Sequence, residues 1–491
     1  MKLTPPFVPR NSRRPTAPGV LAIVATLALV AAGCAVGPNY QPRQQTVPEG
    51  FESGSTESNA AASPLMVELQ WWRHFGDPLL DELQAKAATN NFDLKRGQAR
   101  LQEARALWKE TRFDLLPTVR AGASYENTQS SVAASTPGAD RDERHHELYR
   151  VGFDATWELD LFGRVRRNVE AGRATMASVE ADQDDLRVSI HAEVAANYIL
   201  LRSFQSQIAA AERQISNQSA TLQLAETLRD GGRGTQLDVA RARSQLESTR
   251  ATLPALKSAS DGAIHRLGVL CGQPPRQEWS RWHSPSPIPR LASPIQPGNP
   301  AELLRRRPDL RAAERQVAAT TARIGVAVAD LFPRVTFQGR LGLEASQLSQ
   351  FDEGGTDAWG FGPRISWAAF DLGRVRQQVK AARARAEASI NIYEQSVLLA
   401  LEETENALSR YRHSQERLEH LRNAEAAASE AVQLATQRYR DGVADFLTVL
   451  DSERVLLLLQ LQLAGGEADV ATATVAVYKA LGGGWTDPSP D

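Results

Sequence analysis

Three stretches of the chain alternate apolar and polar residues with a period of two. Tyr149, Val151, Phe153, Ala155, Trp157 and Leu159 alternate with Arg150, Gly152, Asp154, Thr156, Glu158 and Asp160. Val335, Phe337, Gly339, Leu341 and Leu343 alternate with Thr336, Gln338, Arg340, Gly342 and Glu344. Trp359, Phe361, Pro363, Ile365 and Trp367 alternate with Gly360, Gly362, Arg364, Ser366 and Ala368. Segments of about ten residues with aromatic ends and one charged face fit strands of an outer-membrane barrel. A half-buried soluble sheet shows the same alternation, so the rest of the chain has to decide between them.

Two other stretches have the helical period and are very long. Arg164 to Arg229 contains no proline and one glycine, and Arg374 to Asp441 contains neither. At a rise of about 1.5 Å per residue each reaches roughly 100 Å, a length that implies bundled or coiled packing. In the second, Val375, Val379, Ala382, Ala386, Ile390, Tyr393, Val397, Leu401, Thr404 and Leu408 form an apolar seam with a period slightly above 3.6. That period suits nearly straight packing. From Tyr411 through Leu418, Leu421, Ala428, Val432 and Ala435 to Tyr439 the spacing tightens toward a heptad, with Ser414 and Glu425 interrupting it. A returning helix follows each long one. Pro254 in the first and Gly465-Gly466 in the second predict a break there.

The chain is written twice. Gly163-Arg164-Val165-Arg166 recurs 210 positions later as Gly373-Arg374-Val375-Arg376. Asp114-Leu115-Leu116-Pro117 answers Asp330-Leu331-Phe332-Pro333, Arg229-Asp230-Gly231 answers Arg440-Asp441-Gly442, and Leu267-Gly268 answers Leu481-Gly482. Matches in one order and at similar spacing define two repeats, over residues 71–272 and 300–485, each with a short helix, two strands, a long helix and a returning helix. A Pro-rich connector, residues 273–299, lies between them, and residues 486–491 form a tail.

The N-terminus decides the compartment. Lys2, Arg10, Arg13 and Arg14 precede the apolar run Val20 to Ala32, and no acid occurs before Glu49. This is the layout of a secretory signal peptide, and the run is short of the roughly 20 residues that span a bilayer. Ala31-Ala32-Gly33-Cys34 resembles the lipobox of bacterial lipoproteins, although Ala31 stands where Leu is usual. The expectation is a lipoprotein signal over residues 1–33, a covalent lipid on Cys34, and a lipid-anchored segment over 34–70. Ala35 after the cysteine fits sorting to the outer membrane.

Composition removes other classes. Lys+Arg 56 against Asp+Glu 58 leaves a net charge of -2, with no basic excess to hold nucleic acid. A mean hydropathy of -0.36 does not suit a polytopic helical membrane protein. The two cysteines, Cys34 and Cys271, cannot form a disulfide framework, and neither sits in a zinc-binding pattern. No Walker loop, GxGxxG after a strand, nucleophile elbow or HExxH is present. The paired acids Asp184-Asp185 and Glu402-Glu403 read as solvated helix faces, His145-His146 as a solvated loop pair, and Arg305 to Arg307 as a charged helix entry. An enzyme is therefore not expected, nor a cofactor.

Four strands behind a signal peptide cannot close a barrel alone, because lipid tolerates no open edge and the smallest barrels have about eight strands. Two copies would supply eight strands and three would supply twelve; the larger leaves room for a wide lumen. The long helices of the same copies would continue the tube into the periplasm.

At this point the chain resembles the TolC-like outer-membrane efflux proteins, in the lipoprotein branch that serves RND-type drug-efflux pumps. Cys34 to Tyr40 (CAVGPNY), Trp71 to Leu79 (WWRHFGDPL) and Leu303 to Leu310 (LLRRRPDL) carry the resemblance. It implies an α+β membrane protein: a homotrimer with a 12-stranded β-barrel, four strands per chain, continued by a periplasmic α-helical barrel. The expected partners are a periplasmic adaptor at the helical tips and an inner-membrane RND-type transporter. The resemblance also implies a closed periplasmic tip, held by Tyr439, Arg440 and Asp451 with Asp238 from the first repeat's turn, and with Leu447 as an apolar constriction. Val443 and Phe446 would neighbour it. Ala444 and Thr448 stand where the secretion-type branch has Arg and Asp, so those links are absent and Arg440 becomes the cationic partner. Gly231, Gly232, Gly234 and Gly442 are expected to serve unusual backbone angles in the two tip turns. Two rival functions keep parts of this reading: a type I protein-secretion duct of the same fold, and a periplasmic coiled-coil scaffold without a pore.

Overall fold

The computed structural model describes residues 35–42, 48, 50–51, 70–134, 140, 144–275, 279–291, 300 and 305–484. The expected signal segment (residues 1–33), Cys34, most of the segment up to residue 69, part of the connector and the tail lie outside the described residues. The elements are α1 (Pro78–Asn90), α2 (Phe92–Phe113), β1 (Thr118–Gln129), β2 (His145–Leu159), α3 (Arg164–Asp230), α4 (Gln236–Leu270), α5 (Pro308–Ala329), β3 (Arg334–Ala345), β4 (Asp357–Ser366), α6 (Leu372–Arg440) and α7 (Phe446–Ala480). The chain divides into two compact units.

The first unit comprises Met1–Gln41, Arg105–Thr175 and Gln316–Ser389. It contains one antiparallel sheet in the order β1-β2-β3-β4. Register follows the alternation read from the sequence. Phe153 lies opposite Ala121 and Leu341, and Leu341 in turn opposite Trp359. One face is therefore apolar across all four strands. The other face is polar: Asp154 lies between Arg120 and Arg340, and Arg150 between Ser124 and Glu344. His145 and His146 begin β2 rather than lying in a loop, opposite Gln129 and Thr128.

The repeat extends to single bonds. Trp157 Nε1 donates to Leu115 O at 3.0 Å, and Trp367 Nε1 donates to Leu331 O at 3.0 Å. Each repeat thus ties the end of its second strand to the turn ahead of its first. Phe162 and Phe332 stack between the repeats at 4.6 Å. The GRVR motif opens α3 because Asp160 caps it, accepting from Val165 N at 3.0 Å and Arg166 N at 2.9 Å. Arg164 is bonded to Glu158 at 2.6 Å.

The second unit comprises Pro42–Ala104, Met176–Arg315 and Ile390–Asp491. Its main core gathers Trp71, Trp72, Phe75, Leu80, Ile199, Leu267, Trp282 and Tyr478. The WWRHFGDPL segment is consumed here. Trp71 stacks on Tyr478 at 5.2 Å and Trp72 on His191 at 4.5 Å. Asp77 caps α1 through Leu79 N at 2.9 Å and accepts the Tyr198 hydroxyl at 2.5 Å. Burial pushes the His191 imidazole down to about 4, so it is neutral, with Nδ1 2.7 Å from Gln84 Oε1. The connector is pinned to α3: Arg202 donates to Ser284 O at 2.7 Å and Gln205 to Trp282 O at 2.9 Å.

Both returning helices are continuous, against the expected breaks. Pro254 lies inside α4, exposed, so the carbonyl that its missing N–H leaves unbonded can face water. Gly465 and Gly466 lie inside α7. A Cβ at Gly466 would stand 2.9 Å from Leu421 Cδ1 of α6, whereas nothing lies within 4 Å at Gly465. One glycine thus permits close helix packing, which sustains the helix across the pair. The seam along α6 is buried or half-buried from Val375 to Tyr439, and Ser414 and Glu425 keep to it as half-buried positions. Gln460 Nε2 of α7 donates to Glu425 Oε1 at 3.1 Å, so the polar interruption is bonded rather than exposed.

Of the four acids read as solvated, Glu402 is exposed, Asp185 and Glu403 are half-buried, and Asp184 is not solvated. Asp184 is buried and paired with Arg187 at 2.8 Å. Arg307, the last of its arginine run, is buried. It bonds Asp309 at 2.8 Å, Glu403 at 2.8 Å and Ala480 O at 3.0 Å, so that one guanidinium ties the start of α5, the middle of α6 and the end of α7. Lys479 approaches Glu403 at 3.5 Å. Burial and the Asp309 carboxylate push Asp185, beside this cluster, up to about 6.

Candidate functional site: a two-faced sheet and a helical tip

The sheet presents its apolar residues to the surroundings. Phe361 is 71% exposed, Ile365 69% and Trp359 66%, a large patch for a protein in water and an ordinary surface for one in lipid. On the polar face Arg150 pairs with Glu344 at 3.2 Å and Glu126 at 3.6 Å, and Arg340 pairs with Glu344 at 3.3 Å. A glycine row, Gly122, Gly152 and Gly342, crosses this face. A Cβ at Gly342 would stand 2.4 Å from Val151 O, so the strands approach there as only glycine allows. Among the described residues β1 and β4 each have one unpaired edge.

The tip is built from the ends of α3, α4, α6 and α7. Its two turns share one backbone design. Gly232 N donates to Arg229 O at 2.9 Å and Arg233 N to Leu228 O at 2.8 Å; 210 positions on, Gly442 N donates to Tyr439 O at 3.0 Å and Val443 N to Arg438 O at 2.9 Å. Gly232 and Gly442 have φ of 71° and 76°, the left-handed values that favour glycine. Gly231 and Gly234 do not take such angles. Gly231 has only ordinary contacts, while a Cβ at Gly234 would stand 2.9 Å from Arg229 N. Behind the turns Ala225, Val239, Ala242, Phe446 and Leu450 form a small apolar cluster.

The expected tip residues lie together on this end but are not all bonded to one another. The Tyr439 ring packs on Phe446 at 5.0 Å. Its hydroxyl is buried without a hydrogen-bond partner among the described residues, and burial, Asp238 and Asp445 all push its pKa up. Asp238 is occupied in a capping box, accepting from Thr235 Oγ1 at 2.6 Å and Thr235 N at 3.1 Å. Asp451 pairs with Arg454 at 2.8 Å, not with Arg440. Arg440 is exposed and makes no side-chain hydrogen bond or ion pair among the described residues. Leu447 is 50% exposed and Val443 67%, while Phe446 is buried.

Sequence reasoning missed other tip groups. Arg243 pairs with Glu226 at 3.2 Å, and the Arg233 guanidinium reaches the position of a Cβ on Gly442 at 3.4 Å. Farther from the turns, Glu453 of α7 is buried, accepts from Thr221 Oγ1 at 2.7 Å, and is pushed up by burial. Gln214 and Gln218 share the buried stripe of α3 with Thr221. A polar side chain at helical spacing within a long charged helix carries no signal of its burial.

The family model for outer membrane efflux proteins matches residues 83–273 and 299–483. The chain belongs to that family. It is 31% identical to the solvent efflux pump outer membrane protein SrpC of Pseudomonas putida, over 93% of this chain and 97% of that protein. It is 30% identical to the outer membrane protein OprJ of Pseudomonas aeruginosa, over 96% of each. Among solved structures it resembles the outer-membrane channel OprN with a TM-score of 0.86 and 42% identity, covering 92% of this chain and 100% of that one. The fold is that of the TolC-like outer-membrane channels, with four strands contributed per chain. As an outer membrane efflux protein the chain is a transport component located in the outer membrane, and not an enzyme. Its apolar sheet face is the lipid-facing exterior of a barrel and the charged face its lumen.

Proposed function

We propose that the protein is the exit duct of a tripartite efflux pump, a homotrimer whose four-stranded sheets close a 12-stranded barrel. It passively conducts small molecules, drugs among them, delivered by an inner-membrane RND-type transporter through a periplasmic adaptor that docks at the helical tips. The observation that carries this is a sheet with one continuous apolar face, one charged face and two open edges, in a chain of the outer membrane efflux family. Open edges in lipid require further copies. The type I secretion duct is the less supported reading, since relatives such as SrpC are named for pump-driven efflux of small molecules. No cofactor takes part; the one attached group is a lipid on Cys34, which anchors the chain in the outer membrane.

At rest the duct is closed by Asp238, Tyr439, Arg440, Leu447 and Asp451. Among the described residues Arg440 has no side-chain partner, and Leu447 is exposed, which supports engagement with neighbouring copies around the threefold axis. Exposed ion pairs are worth about 1 kcal/mol or less each, weak enough for an adaptor to release. Planar-bilayer recordings should give a small wild-type conductance that rises several-fold in Arg440→Ala. Equal conductances would remove Arg440 from the gate, and the lack of discrete channels from inserted protein would remove the duct.

A further inference from the structure

The first described residues are held in a receptor built for them. Val36 N donates to Phe162 O at 3.1 Å. Arg167, on the first turn of α3 and only 4% exposed, donates to Val36 O at 3.2 Å, Gly37 O at 3.4 Å and Asn39 Oδ1 at 2.6 Å. Its remaining bond goes to Glu170, at 2.8 Å on the same helix. Every side-chain bond that Arg167 makes beyond its own helix among the described residues is therefore to this segment. A guanidinium is buried only when its donors are matched, and here the N-terminal segment matches them.

Three glycines make the fit possible. Gly163 has φ of 80°, and a Cβ there would stand 2.6 Å from Ala35 Cα. Gly37 has φ of 92°, and its Cβ would stand 2.5 Å from Gly325 Cα. A Cβ at Gly325, in α5, would stand 2.8 Å from Arg167 Cγ. The segment, the turn after β2, α3 and α5 thus interlock within the first unit, at backbone distances that no larger residue permits.

We propose that Arg167 is the positioning residue of the membrane anchor. It clamps residues 35–39 to the junction of β2 and α3, so that the acyl chains of Cys34 enter the bilayer at a fixed point at the foot of the barrel, not on a free tether. The proposal rests on the reading of Cys34 as acylated. Cys34 lies outside the described residues and directly precedes Ala35 in the chain. Lipid and strand foot then enter the membrane as one body, which couples anchoring to barrel assembly.

Hydrogen exchange of the intact protein in detergent tests the clamp through peptides covering residues 35–41. Exchange there should be slow in wild type, about tenfold faster in Arg167→Met and a few-fold faster in Asn39→Ala. It should be unchanged in Arg173→Met, an exposed arginine on the same helix. Peptides around Trp71 should be unchanged throughout, which shows that the variants are folded. Unprotected residues 35–41 in wild type, or protection that survives Arg167→Met, would overturn the clamp. The mass of the N-terminal peptide reports the lipid separately: an unmodified Cys34 would sink the acylation reading while leaving the clamp standing. In Cys34→Ser behind a non-lipoprotein signal peptide, residues 35–41 should stay protected; loss of protection would mean that the lipid holds the segment and Arg167 does not. Finally, Arg167→Met should retain acylation yet yield several-fold fewer heat-modifiable trimers in outer membranes, and a wild-type yield would refute the coupling to assembly.

Discussion

Asp185 shows what a charged residue in a long helix can hide. Its sequence context is a run of acids on an amphipathic helix, and such runs are usually solvated. In the fold it stands against Arg307, Asp309, Lys479 and Asp182, and burial outweighs the attraction of the two cations. Its pKa rises from the ordinary 3.8 to about 6. An acid whose folded pKa is raised weighs on the fold only where it is ionised, so its penalty grows as pH climbs from 3.8 to about 6 and is full above that. Asp185→Asn should therefore raise the thermal midpoint at pH 7 and leave it unchanged below pH 4, as read by circular dichroism of the detergent-solubilised protein. Arg307 makes the same point from the other sign. Three consecutive arginines look alike in sequence, and only the last is buried, where it meets Asp309, Glu403 and the end of α7.

At the scale of the element, the seam of α6 was legible from Val375 to Tyr439, because a period near 3.6 directly reports which face is covered. What it did not report was whether a local breaker would win. Pro254 and Gly465-Gly466 are breakers by propensity, yet α4 and α7 run through them. Most helical stability in a protein comes from packing an apolar face, and propensity is the smaller contribution. The two glycines of α7 should accordingly behave differently. Gly465→Ala meets nothing within 4 Å and should stabilise the helix by up to about 1 kcal/mol, seen as a higher melting temperature. Gly466→Leu would drive a large side chain at Leu421, 2.9 Å from the first added atom, and should lower it. A reversed order would show that the pair serves flexibility and not packing.

For the whole molecule the decisive fact is the pair of free edges. β1 and β4 end a four-stranded sheet whose apolar face is exposed, and neither edge can remain unpaired in hydrocarbon. β4 of one copy should therefore pair with β1 of the next. Double variants that place one cysteine at Ala121 or Ala123 and another between Gly360 and Pro363 should include members that give covalent dimers and trimers on denaturing gels after oxidation. Ladders ending at two copies, or none from any pair, would exclude the three-copy barrel.

By itself the sequence determined the two repeats, the alternating faces of three of the four strands, the two long helices, and the place of the tip turns. All of these are properties of local period or of self-similarity, and neither needs a partner to be read. Tertiary structure decided the rest. It placed Arg167 around the N-terminal segment, spent Asp238 in a capping box, turned Asp451 to Arg454, and left Arg440 exposed without a side-chain partner among the described residues. A charged side chain carries no mark of its partner, because the partner can lie more than a hundred residues away, as Asn39 does from Arg167, and only the folded chain brings the two within hydrogen-bonding distance.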